Sequence, residues 1–263
     1  METRRPIPVS DASTIPASGV PALTLEIQHS FVHESMNSIK RIKQNGWMYS
    51  IAIVFNRLVP ERLFRIRRFV VYRIAVGEGS NDQSADSTSD SSIAISRCAT
   101  EADVAAVEQI TYFQKSQASG NAIAFGAKLD DLMGAGMWAA TECFDENALG
   151  VRICLNENQT WLFAALVPKP FRRRGLYSKL LSFTIADMAE HGYVNQFVAV
   201  NPDNVGSNRI HQRLSEETVG HVLAIRFLKT TCCWTSGKIV KDSTISWNSS
   251  SRPIGIQFES SPA

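Results

Sequence analysis

The sequence predicts a mixed α/β fold, because apolar stretches with strand character alternate with segments of helical spacing. Residues 161–167 form a short apolar run that is typical of a buried strand. After Gly175 the apolar residues recur at helical spacing as far as residue 188. His191 and Gly192 are typical of a helix C-terminus, and residues 195–200 predict a second strand.

The turn between the first strand and the helix has the composition of an anion-binding site. Pro168 and Pro170 end the strand, and three consecutive arginines at 172–174 precede Gly175. A glycine-containing turn that opens a helix directs free backbone N–H groups and the positive end of the helix dipole toward one point. Three arginines alone are more often a solvated surface, but their place between a buried strand and a helix favours a phosphate site.

Length and composition are those of a globular chain with one substantial core. The 263 residues are 44% hydrophobic, and the net charge of +2 is too small to indicate nucleic-acid binding by itself. The five cysteines have no spacing typical of a zinc site or a disulfide framework, so we expect a reducing, cytoplasmic location. Residues 47–55, the longest early apolar stretch, are much shorter than the roughly 20 residues of a membrane-spanning helix. We therefore expect no integral membrane span.

Composition also divides the part of the chain before the main domain. Residues 1–22 are rich in Pro, Ser and Thr, and we expect them to form a disordered tail. Residues 23–76 are predicted to be a helical, basic pre-domain that ends in a strand at 69–74, where β-branched and aromatic residues concentrate. Residues 77–92 are rich in Ser and Asp and predict a flexible linker.

The main domain is expected at 93–230, followed by C-terminal strands and a tail at 231–263. The sequence predicts a strand at 93–97 and a helix at 102–114, with Thr100 as the N-cap of the helix. Further elements are predicted along the domain: a helical segment at 128–133, strands at 137–143 and 148–155, and turns at 145–147 and 156–158.

The phosphate-site motif resembles the pyrophosphate-binding motif of the GCN5-related N-acetyltransferase (GNAT) family. That motif is Arg or Gln, two residues, Gly, one residue, then Gly or Ala. Here Arg172, Gly175 and Tyr177 stand at those positions, and Tyr177 replaces the usual small residue. The basic pre-domain resembles one that some bacterial members of the family carry.

A second segment, at 201–214, is similar to the part of the family in which an asparagine ends a splayed strand. A helix then carries a serine and, four residues later, a tyrosine. Asn204 and Ser207 match the asparagine and the serine, and His211 occupies the tyrosine position. The family tyrosine can protonate the departing thiolate of coenzyme A, and a histidine with a pKa of about 6.5 can do the same.

The resemblance implies a GNAT-like, mostly antiparallel central sheet with helices on both faces and one splayed pair of strands. It implies acetyl-CoA or another acyl-CoA as co-substrate, no metal, and direct acyl transfer to the amine of a small molecule or peptide. The cofactor arm would pair with the backbone of Leu166 and Val167 and contact Asn204 and Ser207, while His211 would be catalytic. The pyrophosphate would be held by the turn and the start of the helix, namely by Arg172, Arg173, Arg174, Gly175, Leu176, Tyr177 and Ser178.

The general base is not identified by the sequence. Many members of the family place a carboxylate on the strand before the phosphate turn, whereas residues 162–167 are entirely apolar. Glu142, expected on the strand at 137–143, an ordered water, or an amine that arrives already neutral are the alternatives.

Two other functions stay open. A domain that keeps the fold but only senses acyl-CoA fits the missing base and the altered helix end, where Ser215 and Glu216 follow Leu214 in place of the family's Gly and Phe. The third function rests on a cluster of basic and aromatic residues that could contact RNA or anionic lipid, although a basic surface packed against the acidic linker is the preferred interpretation. The cluster consists of Arg62, Phe64, Arg65, Arg67, Arg68, Phe69 and Arg73. We expect no nucleic-acid partner and allow for a homodimer.

Overall fold

The structure is a computed structural model that describes residues 58–60, 63–75 and 93–259. The predicted tail, most of the pre-domain and the predicted linker at 77–92 lie outside the described residues. Within these ranges no helix combines the length and the apolar character that a membrane span requires.

Thirteen strands and three α-helices make up the described chain. The strands are β1 (Phe64–Ala75), β2 (Ile93–Arg97), β3 (Ala122–Leu129), β4 (Leu132–Ala140), β5 (Cys143–Glu146), β6 (Val151–Cys154), β7 (Gln159–Leu166), β8 (Asn195–Val200), β9 (Ser215–Phe227), β10 (Thr230–Thr235), β11 (Ile239–Lys241), β12 (Ile245–Ser246) and β13 (Ile254–Phe258). The helices are α1 (Glu101–Thr111), α2 (Leu176–Glu190) and α3 (Val205–Leu214).

Nine strands form the central sheet, in the order β12-β10-β9-β1-β8-β7-β4-β3-β2. Within this sheet the β7–β8 pair is parallel and the other described neighbours are antiparallel. The predicted strands at 93–97, 161–167 and 195–200 are therefore confirmed, within one or two residues at their ends.

Helices cover both faces of this sheet. On one face Leu181 and Met188 of α2 pack in the same apolar cluster as Phe125 and Met137. On the other face Val107 of α1 packs in a cluster with Ala124 and Trp138, which alternate with those residues along β3 and β4. The predicted fold class, a mostly antiparallel sheet with helices on both faces, is confirmed.

A second sheet of four strands, in the order β11-β13-β6-β5, was not predicted. Its residues belong to a second apolar cluster together with Val71 and Phe197 of the central sheet. The Phe258 ring stacks on Phe197 and on Trp161, with ring centroids 4.3 and 5.6 Å apart. The C-terminal strands are therefore part of the core of the molecule.

Strand β1 extends the strand predicted at 69–74 and lies in the middle of the sheet, between β8 and β9. Val71 and Ile74 are almost completely buried. Residues 64–75 thus share one sheet with the domain predicted to begin at residue 93. Two arginines of this region form ion pairs with carboxylates of the described domain: Arg67 with Glu146 at 3.8 Å, and Arg73 with Glu216 and Glu217 at 3.2 and 3.4 Å.

The helical segment predicted at 128–133 is wrong, because β3 and β4 form a hairpin there. Its two turn residues, Asp130 and Asp131, have φ of 50° and 63°. A two-residue turn with both φ values positive joins antiparallel strands with the correct twist, and Asp tolerates this conformation better than most residues. The turn signal lay in an Asp-Asp pair rather than in the Asn-Gly or Asp-Gly that usually marks such a hairpin.

Several predicted boundaries also shift. Helix α1 begins after Thr100, whose hydroxyl accepts the Asp103 N–H as predicted, but it ends at Thr111 because Tyr112 is left-handed, with φ of 56°. The strand predicted at 137–143 is instead β4 ending at Ala140, and β5 takes up part of the turn predicted at 145–147. The turn predicted at 156–158 is confirmed at residues 157–158.

Helix α3 ends without the glycine that the family pattern has after Leu214. Its C-cap Ser215 is extended, with φ of −87°, and donates its N–H to the carbonyl of His211. The chain continues directly into β9, so no left-handed residue is required there.

Candidate functional site

The two parallel strands of the central sheet part at their C-terminal ends. Their pairing runs from Gln159 opposite Asn195 to Leu162 opposite Val198, and stops there although both strands continue. Ligands bind preferentially at the carboxyl ends of parallel strands, where unpaired backbone groups and helix starts come together. The predicted splayed pair is therefore present, and it lies where α2 and α3 begin.

A β-bulge accompanies this gap. Trp138 of β4 pairs with Phe163 and Gly136 pairs with Leu166, so β7 contains one extra residue between these pairs. Ala164 lies in the bulge with φ of 48°, a conformation that is uncommon for a residue with a side chain. Bulges of this kind redirect a strand and are frequent beside functional sites. No local feature of the sequence pointed to it.

Helix α2 begins at the basic turn that the sequence predicted as an anion-binding site. Gly175 is the N-cap, with φ of 71°, and no side chain caps the helix. A Cβ on Gly175 would meet no heavy atom within 4 Å, so the glycine is required by the backbone conformation and not by lack of room. The N–H groups of the first turn have no side-chain cap, and the side chains of Arg172, Arg173, Arg174 and Ser178 beside them are exposed.

A hydrogen bond links this turn to the end of β7. The exposed Arg172 Nε donates to the Val167 carbonyl at 3.0 Å, so one of the backbone groups predicted to pair with a cofactor arm already has a partner. The cause is the short 3-10 turn at Lys169–Phe171, which reverses the chain and brings residue 172 back beside the end of β7. Leu166 pairs with Gly136 on its β4 side, and its other edge lies on the side of the gap.

Three side chains predicted to belong to the site meet between α2 and α3. The Tyr177 hydroxyl lies 2.7 Å from the Nε2 of His211. The Ser207 side chain also hydrogen-bonds Tyr177. Burial raises the pKa of Tyr177 above its usual value, and the Ser207 hydrogen bond opposes that rise. The sequence had placed these residues in two separate motifs, and the fold joins them in one cluster.

His211 differs from the expectation of an ordinary, exposed imidazole. Its side chain is 1% exposed, and burial lowers its pKa to about 4. At neutral pH the ring is therefore uncharged and does not hold the extra proton that the sequence argument assigned to it. Its Nδ1 is buried and has no hydrogen-bond partner among the described residues.

The tautomer of His211 sets the direction of the Tyr177–His211 hydrogen bond. If the hydroxyl donates to Nε2, the Nδ1 carries a buried N–H. If Nε2–H donates to the phenolic oxygen, the Nδ1 is a buried acceptor. The second arrangement leaves the hydroxyl proton of Tyr177 free to be donated elsewhere.

Two residues that support the site, Tyr72 and Asn208, were not predicted from the sequence. The Tyr72 ring of β1 stacks on His211, with centroids 6.2 Å apart, and its hydroxyl donates to the Asn208 side chain at 3.0 Å. The Asn208 amide donates in turn to the carbonyls of Asn201, Pro202 and Asn204 at 2.8 to 3.1 Å. These bonds hold the turn from β8 into α3. Tyr72 and Asn208 are 136 residues apart, so no spacing in the sequence connects them.

The remaining predicted residues have mostly structural contacts. The Asn204 side-chain oxygen accepts the Ser207 N–H at 3.2 Å and so caps α3. Leu176 is buried, so its side chain faces the core and only its backbone N–H reaches the turn. Glu142 is exposed and follows the end of β4 that is remote from the gap. Ala140 at that end pairs with Trp161, whereas Gly136 pairs with Leu166 beside the gap. Glu142 does not lie on the strand as predicted, and it is too far along the sheet to serve as the general base.

No family model and no curated protein matches the chain. Solved structures do match. An acetyltransferase of the GNAT family from Novosphingobium aromaticivorans is 16% identical with a TM-score of 0.40, over 62% of this chain and 60% of that one. A GCN5-related N-acetyltransferase from Kribbella flavida is 14% identical with a TM-score of 0.39, over 59% and 56%. AAC(6')-Iy, solved with a bisubstrate analogue of CoA, is 17% identical with a TM-score of 0.37, over 48% and 92%.

The first two matches span about three fifths of the length of those proteins. The architecture of the described residues is the one that the resemblance in the sequence implied: a mostly antiparallel sheet, helices on both faces, and a parallel strand pair that parts after Leu162 and Val198. The predicted GNAT-like fold is therefore confirmed by the chain's own strand order and pairing.

Proposed function

We propose that this protein is an acyl-CoA-dependent N-acyltransferase that moves an acetyl group from acetyl-CoA to an amine. The observation that carries the proposal is the coincidence of two features in one place. Strands β7 and β8 part, and the helix that follows β7 begins at a basic turn without a side-chain cap. The gap suits an extended arm, and the turn suits the diphosphate at the end of that arm.

The residues of the turn fit such a ligand. The N–H groups from Gly175 to Ser178 would bind the pyrophosphate, and the exposed Arg173 and Arg174 would add charge-assisted hydrogen bonds. Leu166 would offer its backbone at the gap, whereas the Val167 carbonyl is held by Arg172. When bound, acyl-CoA would supply an acyl group activated as a thioester.

The proton for the departing sulfur would come from Tyr177. His211, which the sequence placed in that role, is neutral at pH 7 and would position the phenol by donating from Nε2. Ser207 would hydrogen-bond the same oxygen. Two hydrogen bonds to the phenolic oxygen stabilise the phenolate, and so they make the buried hydroxyl a better acid than burial alone would allow.

The acceptor would be an amine of a small molecule or a peptide, and the protein would act in the cytoplasm, without a metal. Acetyl-CoA binding can be measured by calorimetry and by thermal unfolding. Ligand at a hundredfold over its dissociation constant should add roughly 2.7 kcal/mol to the free energy of unfolding. Fragments of acetyl-CoA that keep the thioester arm but lack the diphosphate are the matched control. A melting curve that saturating acetyl-CoA does not move would refute the proposal.

A second candidate is a protein that binds acyl-CoA without transferring the acyl group. It is favoured by the apolar end of β7, where the sequence from Leu162 to Val167 contains no carboxylate to deprotonate an amine. Release of free thiol with a panel of amines separates the two candidates. Binding without thiol release above the rate in the absence of protein would favour the sensor.

A further inference from the structure

The second sheet of four strands, the small sheet, places two cysteines directly opposite each other on neighbouring strands. In the β5–β6 register Cys143 pairs with Cys154. The adjacent pair, Glu142 and Leu155, is hydrogen-bonded, since the Leu155 N–H donates to the Glu142 carbonyl at 3.0 Å. Hydrogen-bonded and non-hydrogen-bonded pairs alternate along an antiparallel ladder, so the two cysteines form a non-hydrogen-bonded pair, where Cα atoms are about 4.5 Å apart. Disulfides span Cα separations of about 4.4–6.8 Å.

Both thiols lie on the side of the small sheet that faces away from the core. Phe144, between Cys143 and Asp145 in the sequence, packs against the apolar cluster, so alternation directs its neighbours to the other side. On that side Arg152 donates two hydrogen bonds to Asp145, at 2.6 and 2.7 Å. Cys143 and Cys154 are both partly exposed, and both are free thiols. The backbone register of the pair thus suits a disulfide once the two side chains rotate toward each other, and both thiols are accessible to a small reagent.

We propose that Cys143 and Cys154 are a reversible redox pair that closes to a disulfide when a low-molecular-weight disulfide, such as oxidised glutathione, is present. The thiolate of one cysteine attacks a sulfur of the small disulfide, forms a mixed disulfide and releases one thiol. The thiolate of the other then attacks the protein sulfur of that bond, forms the Cys143–Cys154 bond and releases the second thiol. The protein loses two electrons and two protons, and the small disulfide gains them.

The geometry selects this pair among the cysteines of the described residues. Cys232 lies opposite Ile225 and Ile245, and Cys233 lies opposite Ala224, so neither faces another thiol across the sheet. Burial raises the pKa of both Cys143 and Cys154, while Arg152 opposes that rise. The reaction should therefore accelerate above neutral pH. The bond would fasten β5 to β6, the strand that pairs with the C-terminal β13.

The test uses the full chain, reduced and then equilibrated at pH 8 with defined ratios of reduced to oxidised glutathione. After acid quenching and alkylation, trypsin cleaves at Arg152, so Cys143 lies in the peptide 129–152 and Cys154 in a peptide that begins at residue 153. Mass spectrometry should find these two peptides linked, with two alkylation sites lost. The oxidised protein should melt about 5 °C or more above the reduced protein.

Cys143→Ser and Cys154→Ser should each abolish the linked peptides and the difference in melting temperature. Cys232→Ser, a partly exposed thiol outside the pair, should retain both. If an excess of oxidised glutathione leaves Cys143 and Cys154 unlinked, or links either of them to another cysteine, the proposal is overturned.

Discussion

At the scale of single residues, burial decides the chemistry of the Tyr177–His211 pair. The hydrogen bond between them is short, at 2.7 Å, and the imidazole is almost completely excluded from water. A neutral imidazole is a poor proton donor at pH 7, whereas it can support a phenol that donates. The two residues therefore have different predicted effects when each is changed.

Tyr177→Phe should lower the rate of acyl transfer by about 10²–10⁴-fold, the usual contribution of a general acid. The dissociation constant for acetyl-CoA should change little, because the ring and its packing remain. His211→Phe should cause a smaller loss, since the hydroxyl stays and only its support is removed. Tyr112→Phe is the matched control, because Tyr112 is 86% exposed. Steady-state rates and calorimetry check the prediction. If Tyr177→Phe keeps the unmodified rate of acyl transfer while His211→Phe loses most of it, His211 and not Tyr177 is the general acid.

The lowered pKa of His211 makes stability depend on pH. The unfolded chain binds a proton below about pH 6.5, whereas the folded chain does so only below about pH 4. Between these values the unfolded state holds more protons, so stability rises with pH and is lost as pH falls from 6.5 to 4. The loss should amount to about 3 kcal/mol at most.

Urea unfolding at several pH values between 4 and 7 tests this dependence. His211→Phe should lack this part of the pH dependence. His191→Gln, which changes an exposed histidine, should keep it. If the free energy of unfolding changes equally with pH in the wild type and in His211→Phe, water reaches the imidazole in the folded protein.

At the scale of elements, the site depends on how strand β7 passes into helix α2. The short 3-10 turn, the Arg172–Val167 hydrogen bond and the left-handed Gly175 together set the backbone path into the first helical turn, which no side chain caps. A negative charge at the N-cap would occupy the place that the turn offers to a phosphate.

Gly175→Asp should therefore weaken acetyl-CoA binding at least tenfold more than Gly175→Asn does. Both side chains have the same shape, and both tolerate a left-handed conformation, so the strain of the turn is matched and only the charge differs. Since a Cβ at this position meets no neighbour within 4 Å, both variants should fold. Calorimetric titration of the two variants gives the comparison. Equal affinities would place the phosphate away from this turn.

At the scale of the whole molecule, β1 joins parts of the chain that the sequence separates. It pairs with β8 on one side and β9 on the other, and its Val70, Val71, Tyr72 and Ile74 are buried. Burying such side chains contributes roughly 1.5–3 kcal/mol each, so the strand as a whole rivals the net stability of a typical domain.

A chain shortened to begin at residue 93 should therefore lose its cooperative thermal transition. Deletion of residues 1–20 is the control, and from composition we expect it to leave the transition unchanged. Circular dichroism on heating distinguishes the two. A fragment from residue 93 that melts cooperatively and binds acetyl-CoA would show that the sheet tolerates the loss of β1.

The sequence by itself determined the local features of this protein. The strand at 161–167, the turn at Gly175, the helix after it and the cap at Thr100 all depend on residues a few positions apart, so spacing and backbone preference were enough to predict them. The hairpin at Asp130 and Asp131 was missed because its turn residues are unusual ones.

Only the tertiary structure decided which distant residues meet. Tyr177 and His211 are 34 residues apart, and their contact required α2 and α3 to pack on one face of the sheet. The low pKa of His211 follows from that packing, since desolvation is a property of the folded core and not of the residue. The place of β1 between β8 and β9, and the alignment of Cys143 with Cys154, have the same origin. Strand order and register depend on the burial of the whole sheet, which local spacing does not encode.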